Sequence, residues 1–309
     1  MKSFIILFVC FALLACSDTH ENNASNTAAS PKKDGRVRSL TKSKASLERF
    51  FRPMTVSEGD WLESHPENGE TFEEYVDSGP TLPTPERNKI YVQPLGDFTA
   101  DQIKVVRLTA DYLRAFYNLP VVLRDVEPLR DVPSDMQRIR YPDNLQIKTG
   151  YFFNLLPSML PSDAAALICF TNFDLYPEDT WNFVFGQASL ENRVGVWSLW
   201  RLERDGRKKV GADRLLDRTL KIATHETGHM FSMRHCKKYE CLMSGTNSLE
   251  ETDRRPLDTC PECTMKIAWA MPYQPRERYE KLAEFWRKQK RTSEEKLMHE
   301  KMLAVGDVR

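Results

Sequence analysis

The sequence predicts an α/β domain built around a mixed sheet. From residue 89 onward, short strand-like stretches alternate with segments of helical period, the pattern of strands covered by helices. The run AALICFT at 165–171 is apolar at every position but the last, as expected of a central strand buried on both faces. A helix beginning near Asp213 places Leu215, Leu216, Leu220, Ile222 and Ala223 around most of its circumference, so it too is expected to be buried. Lys+Arg and Asp+Glu balance at 44 each, so no bias toward nucleic acid or acidic lipid is expected.

Met1 and Lys2 open the chain, followed by an apolar run at 4–14 that is short for a bilayer span. It ends in Leu13, Leu14, Ala15 and Cys16, which resembles a bacterial lipobox. On that reading cleavage leaves Cys16 as a lipid-modified N-terminus and the protein is exported to a bacterial membrane, facing the periplasm or cell surface. An ordinary signal, or an uncleaved anchor with Cys16 incidental, is the competing reading. Residues 1–16 are thus a signal, and 17–40, nearly free of large apolar side chains, are expected to be a disordered tether. Residues 41–85 are an irregular extension, broken by Pro66, Pro80 and Pro83, with a short helix at 46–51 and little that points to chemistry.

Within 86–275, residues 89–95 (KIYVQPL) have strand-like β-branched and aromatic content. Thr99 and Gln102 form a capping-box pair ahead of Ile103, Val106, Ala110, Leu113 and Tyr117 at helical spacing. Further strands are expected at 119–123, 165–171 and 194–202. After the helix from Asp213 come loops and a CPEC stretch at 260–263. Residues 276–309 read as two charged helices, the first packing Tyr279, Leu282 and Trp286 on one face and the second capped by Thr292 and Glu295.

Chemistry concentrates at 225–236, HETGHMFSMRHC, which holds three of the six histidines. His225 and His229 are one helical turn apart, so both imidazoles reach one ion from the same face. Glu226 is rotated off that face, placing its carboxylate beside the metal, where it can take a proton from a water that zinc acidifies. HExxH is a zinc-hydrolase signature on these grounds. His235 lies too far along to ligate from a continuous helix, about 15 Å on, so the chain must turn back after His229. Such a turn normally uses a glycine at positive φ; here the position is Ser232, expected to be strained or relieved by a different turn, with His235 still ligating.

Of seven cysteines, Cys10 and Cys16 lie in the signal, and Cys169 reads as a small hydrophobe within a strand. Cys236, Cys241, Cys260 and Cys263 form two short-spaced pairs typical of a four-thiolate zinc site. Export favours two disulfides instead, and the spacing alone leaves that open.

HETGHMFSMRHC, then KKYECLM and CPECTMK, resembles the archaemetzincin (archaelysin) family of zinc metallopeptidases, whose pattern is matched at His225, Glu226, His229, His235, Cys236, Cys241, Met243, Cys260, Cys263 and Lys266. SGTNSLEETDRRPLDTC is most similar to the animal-type branch. The resemblance, over about residues 85–275, implies a compact metzincin-like catalytic domain with a mixed sheet and an active-site helix. It implies two zinc ions: a catalytic one on His225, His229 and His235, with Glu226 as general base and acid, and a structural one on the four cysteines. Met243 would supply the Met-turn beneath the histidines. The segment 194–202 is the expected edge strand beside the cleft, where extended substrate pairs.

The expected partner is a peptide or protein substrate, with no nucleic acid, membrane contact only through the lipid at Cys16, and a monomeric state. The competing functions are a non-catalytic zinc-stabilised binding lipoprotein and a zinc hydrolase of non-peptide amides.

Overall fold

The computed structural model describes residues 31–306, apart from 141–143 and 272. The expected signal and the lipidation site Cys16 lie outside the described residues.

Helix α1 (Pro31–Leu47) covers part of the stretch expected to be a tether. Its sequence shows no apolar stripe, and it is held by a few anchors: Leu40 and Leu47 are buried, and the Arg36 guanidinium donates to the carbonyls of Ala268 and Met271 at 2.5 and 2.8 Å. A 3₁₀ turn (Glu48–Phe50), α2 (Trp61–Ser64) and α3 (Phe72–Asp77) follow. The helix expected at 46–51 is therefore the end of α1 plus this turn.

Strand β1 (Lys89–Leu95) leads into α4 (Ala100–Tyr117), with Thr99 and Gln102 forming the expected capping box. Next come β2 (Val121–Leu123), β3 (Gln137–Arg140), β4 (Asn144–Lys148), α5 (Thr149–Met159), β5 (Ala164–Thr171) and β6 (Asp174–Tyr176). They are followed by β7 (Gly186–Ser189), β8 (Val194–Ser198), the single turn α6 (Leu199–Leu202) and a small hairpin of β9 (Arg204–Asp205) and β10 (Lys208–Lys209). The long helix α7 (Ala212–Met230) precedes α8 (Leu249–Arg254), α9 (Pro261–Ala270), α10 (Pro275–Lys288) and α11 (Thr292–Val305).

The main sheet runs β2-β1-β5-β8-β7, parallel except for β7. Strand β3 pairs antiparallel, and β6 parallel, with β4 in a smaller sheet. Successive side chains of β5 point to opposite faces: Ala166, Ile168 and Phe170 join the core with α4 and α7, while Leu167 and Cys169 pack against Phe152 and Leu156 of α5. Every residue of β5 is buried, as the apolar run predicts. The result is a mixed α/β layering with α7 beneath the sheet.

The segment expected to be one strand at 194–202, and the sheet's edge, is neither. Strand β8 stops at Ser198, whose hydroxyl accepts from the Trp200 amide at 3.1 Å and starts the helical turn. It lies between β5 and β7, so the edge strand is β7. The sequence of β7, GQAS, carries no large apolar residue, which is why it escapes a hydrophobicity reading.

Helices α10 and α11 pack into the domain around the fully buried Asp258. Its carboxylate accepts from Arg278 at 2.6 Å and Lys301 at 2.7 Å. Burial works to raise this carboxyl, and the two cations outweigh it, lowering it to about 2. Arg291, in place of the expected Thr292, occupies the N-cap position of α11 and makes no side-chain cap; its guanidinium pairs with Asp217 on α7 at 3.1 Å.

Candidate metal centres and active site

Helix α7 carries His225, Glu226 and His229 in its last turns and ends at Met230. Ser232 adopts φ 63°, the left-handed conformation the turn requires of a non-glycine residue. Its amide donates to the His229 carbonyl at 2.8 Å, and the Met233 amide to Gly228 at 3.1 Å. The Ser232 hydroxyl accepts from the Thr81 amide at 3.0 Å, tying the N-terminal extension to the turn. The chain thereby doubles back, and His235 faces the two helical histidines with ring centroids 5.2 and 4.9 Å away.

One ring nitrogen from each of the three histidines falls within 4.8 Å of the other two. Their opposite nitrogens are engaged. Nδ1 of His225 donates to the Leu242 carbonyl at 2.9 Å and Nδ1 of His229 to the Met233 carbonyl at 2.6 Å. Nδ1 of His235 meets both oxygens of Glu67, at 2.9 and 3.0 Å. These acceptors put the proton on Nδ1, which leaves each Nε2 as a lone-pair donor. Nε2 of His225 and Nε2 of His229 stand 3.0 Å apart, two lone pairs facing each other, which is favourable only with a cation between them. Burial first, then the neighbouring imidazoles, holds His225 well below the usual histidine range; the same causes lower His229 to about 3. The donor set is neutral, convergent and incomplete, and it fits a zinc ion with an open position.

Glu226 is almost wholly buried and lines a cleft with His225 and His235. Trp61 from the N-terminal extension, Gly186 at the start of β7, and Lys221 complete part of its wall. Behind the histidines, Met243 is fully buried, and a Cβ at Gly228 would lie 2.7 Å from its sulfur. The glycine within HETGH is thus a packing requirement of Met243. Sequence reasoning did not reach this, because the two positions meet only in the fold.

The four cysteines form the second cluster. Their sulfurs all lie within 4.8 Å of one another, Cys236 and Cys260 at 3.5 Å, against roughly 2 Å for a bonded pair. Tetrahedral zinc–thiolate bonds of about 2.3 Å put sulfurs near 3.8 Å apart, so the spacing suits one shared ion, not two disulfides. The amides of Met243 and Cys260 point at the Cys241 sulfur at 3.4 and 3.2 Å. Hydrogen bonds from the other three thiols push the Cys236 thiol down, while burial pushes Cys241 and Cys260 up. Cys169 is remote from this cluster and buried in β5. Lys266 sits buried beside the thiols, donating to the Glu70 carboxylate at 2.9 Å.

The clusters share a backbone frame. Leu242, whose carbonyl orients His225, lies between Cys241 and Met243, and the Cys236 amide donates to the Met243 carbonyl at 2.8 Å. A histidine centre on a helix-and-return frame, braced by a four-thiol site, defines a zinc-dependent peptidase. Residues 163–269 match Peptidase family M54. Archaemetzincin-2 of Rattus norvegicus is 35% identical over 76% of this chain and 75% of its own, and archaemetzincin-2 of Homo sapiens is 36% identical over 75% and 74%. A crystal structure of archaemetzincin from Archaeoglobus fulgidus is 29% identical, covering 58% of this chain and 99% of that chain with TM-score 0.44. The chain belongs to the archaemetzincin family of zinc metallopeptidases, with the histidine and cysteine clusters matching that family's catalytic and structural zinc sites.

Proposed function

We propose that the protein cleaves peptide bonds of an extended substrate laid along the free edge of β7, with Glu226 moving the proton. The carrying observation is that Glu226 lines one cleft with His225 and His235, two of the three histidines whose ring nitrogens converge. His225, His229 and His235 would hold a zinc ion, which would supply Lewis acidity toward a carbonyl oxygen and toward water. Glu226 takes a proton from the attacking water and returns it to the leaving amine. Burial of its carboxylate keeps that transfer away from bulk solvent. Among the described residues β7 pairs only with β8 in the main sheet, so its outer edge offers backbone groups to a substrate strand, and Gly186 brings that edge to the cleft. Met243 acts as packing beneath the histidines and takes no part as a ligand.

We propose also that the protein is exported and tethered by a lipid on Cys16, which the sequence LLAC at 13–16 supports, and that it acts as a monomer. The balanced charge favours no nucleic-acid partner.

Digestion of a mixed peptide library by the wild type and by Glu226→Gln tests this function. The wild type cleaves until a chelator is added, and the variant keeps its metal and loses turnover. A fully active Glu226→Gln removes Glu226 from the mechanism; two bound zinc ions with no cleavage of any library favour a non-catalytic binding protein.

A further inference from the structure

We infer that Glu67, carried by the N-terminal extension, is the carboxylate that positions His235 on the metal, making residues 61–67 a working part of the active site. This rests on the reading of the three histidines as zinc ligands.

The histidines are oriented in two different ways. His225 and His229 stand on α7, where the helix fixes their Cα–Cβ directions, and each needs only a nearby backbone carbonyl to set its ring. His235 follows the Ser232 turn in a stretch without regular structure, so the backbone constrains its ring less. Its Nδ1 partner is a carboxylate 168 residues away in sequence, within 3.0 Å through both oxygens. A charged acceptor binds an N–H roughly twice as strongly as a neutral one. It also raises the basicity of the opposite nitrogen, the one that faces the metal.

Glu67 is itself held in place. The Trp61 indole N–H donates to its Oε1 at 2.8 Å, and the Lys237 ammonium donates to its backbone carbonyl at 3.0 Å. Trp61 stacks on His65 at 3.8 Å between centroids and meets the His235 ring edge-on at 5.6 Å. Its backbone amide donates to Glu251 at 3.1 Å. The side chain of Glu67 is 26% exposed, too enclosed for a casual surface ion pair. Trp61 therefore both lines the cleft and aims the carboxylate that aims His235.

The test uses full-length protein carrying Glu67→Ala, Glu67→Gln or Trp61→Phe, with zinc affinity measured by chelator competition. The cysteine cluster serves as an internal control for folding. In Glu67→Ala the histidine-site zinc is expected to bind about 10–100-fold more weakly, with the cysteine-site zinc retained. Glu67→Gln, which keeps an acceptor oxygen without charge, falls between Ala and wild type, and Trp61→Phe shifts in the same direction. Unchanged histidine-site affinity in Glu67→Ala overturns the inference, even if the variant is less stable, because a bracing role alone does not select one metal. A zinc count that is the same in His235→Ala as in the wild type would overturn the zinc reading beneath it as well.

Discussion

Replacing Gly228 by alanine separates helix propensity from the packing that holds the active site together. In an isolated helix the change is favourable by about 0.8–1.0 kcal/mol. Here the added methyl would fall 2.7 Å from the Met243 sulfur, 3.0 Å from its terminal carbon and 3.4 Å from the Tyr117 hydroxyl. Contacts of that kind normally lie at about 3.5–4.0 Å, so Met243 must move by roughly 1 Å. It cannot swing into solvent, being fully buried. Overpacking costs about 1–3 kcal/mol, and after the helix gain a net loss of about 1 kcal/mol is expected. The displacement also reaches the metal, because the adjoining Leu242 carbonyl orients His225. Urea unfolding of the zinc-loaded protein, with parallel chelator competition, measures both effects. The double variant Gly228→Ala with Met243→Ala should be less destabilised than the sum of its parts, since the methyl no longer meets a thioether. A Gly228→Ala protein about 1 kcal/mol more stable, with unchanged zinc affinity, would refute the argument.

Two further substitutions probe the frame. Ser232→Gly relieves a left-handed residue, worth about 1 kcal/mol, and loses the acceptor for Thr81, worth about as much, so stability and zinc affinity should stay near wild type. Ser232→Ala keeps the backbone strain, loses the acceptor and should be the less stable by chemical denaturation; zinc loss in the glycine variant would contradict this view of the turn. Asp258→Ala leaves Arg278 and Lys301 buried without their carboxylate and should cost about 3–5 kcal/mol. Because the folded carboxyl lies at about 2, below its usual value near 3.9, its stabilising contribution is present above about pH 4. It is lost as pH falls through about 2. A wild-type acid-unfolding profile that is the same in the variant would show that this ion cluster contributes nothing.

Much of the site was legible because its chemistry is local. The four-residue spacing of His225 and His229 reports the helix, and two short cysteine pairs report a thiolate site. The full burial of 165–171 follows from its composition. Ser232 is informative in the opposite sense: only the required positive φ marks it, and it takes that conformation. Glu67 and Trp61 were not legible, since nothing in an acidic, proline-broken stretch indicates that it folds back onto His235. The edge strand was misplaced for a related reason. Hydrophobicity picks out β8, which is buried within the sheet, and passes over GQAS, which among the described residues pairs only with β8 in that sheet. Helix α1 likewise depends on a few distant anchors, Arg36 on α9 and the burial of Leu40, with no stripe in its own sequence.

Two distinct zinc sites hold the catalytic frame together, and a zinc count on purified full-length protein is their simplest test. Two ions per chain are expected, falling to one in His235→Ala with the cysteine-bound ion remaining. A wild type holding one zinc or none, or a count that His235→Ala leaves unchanged, would contradict that arrangement.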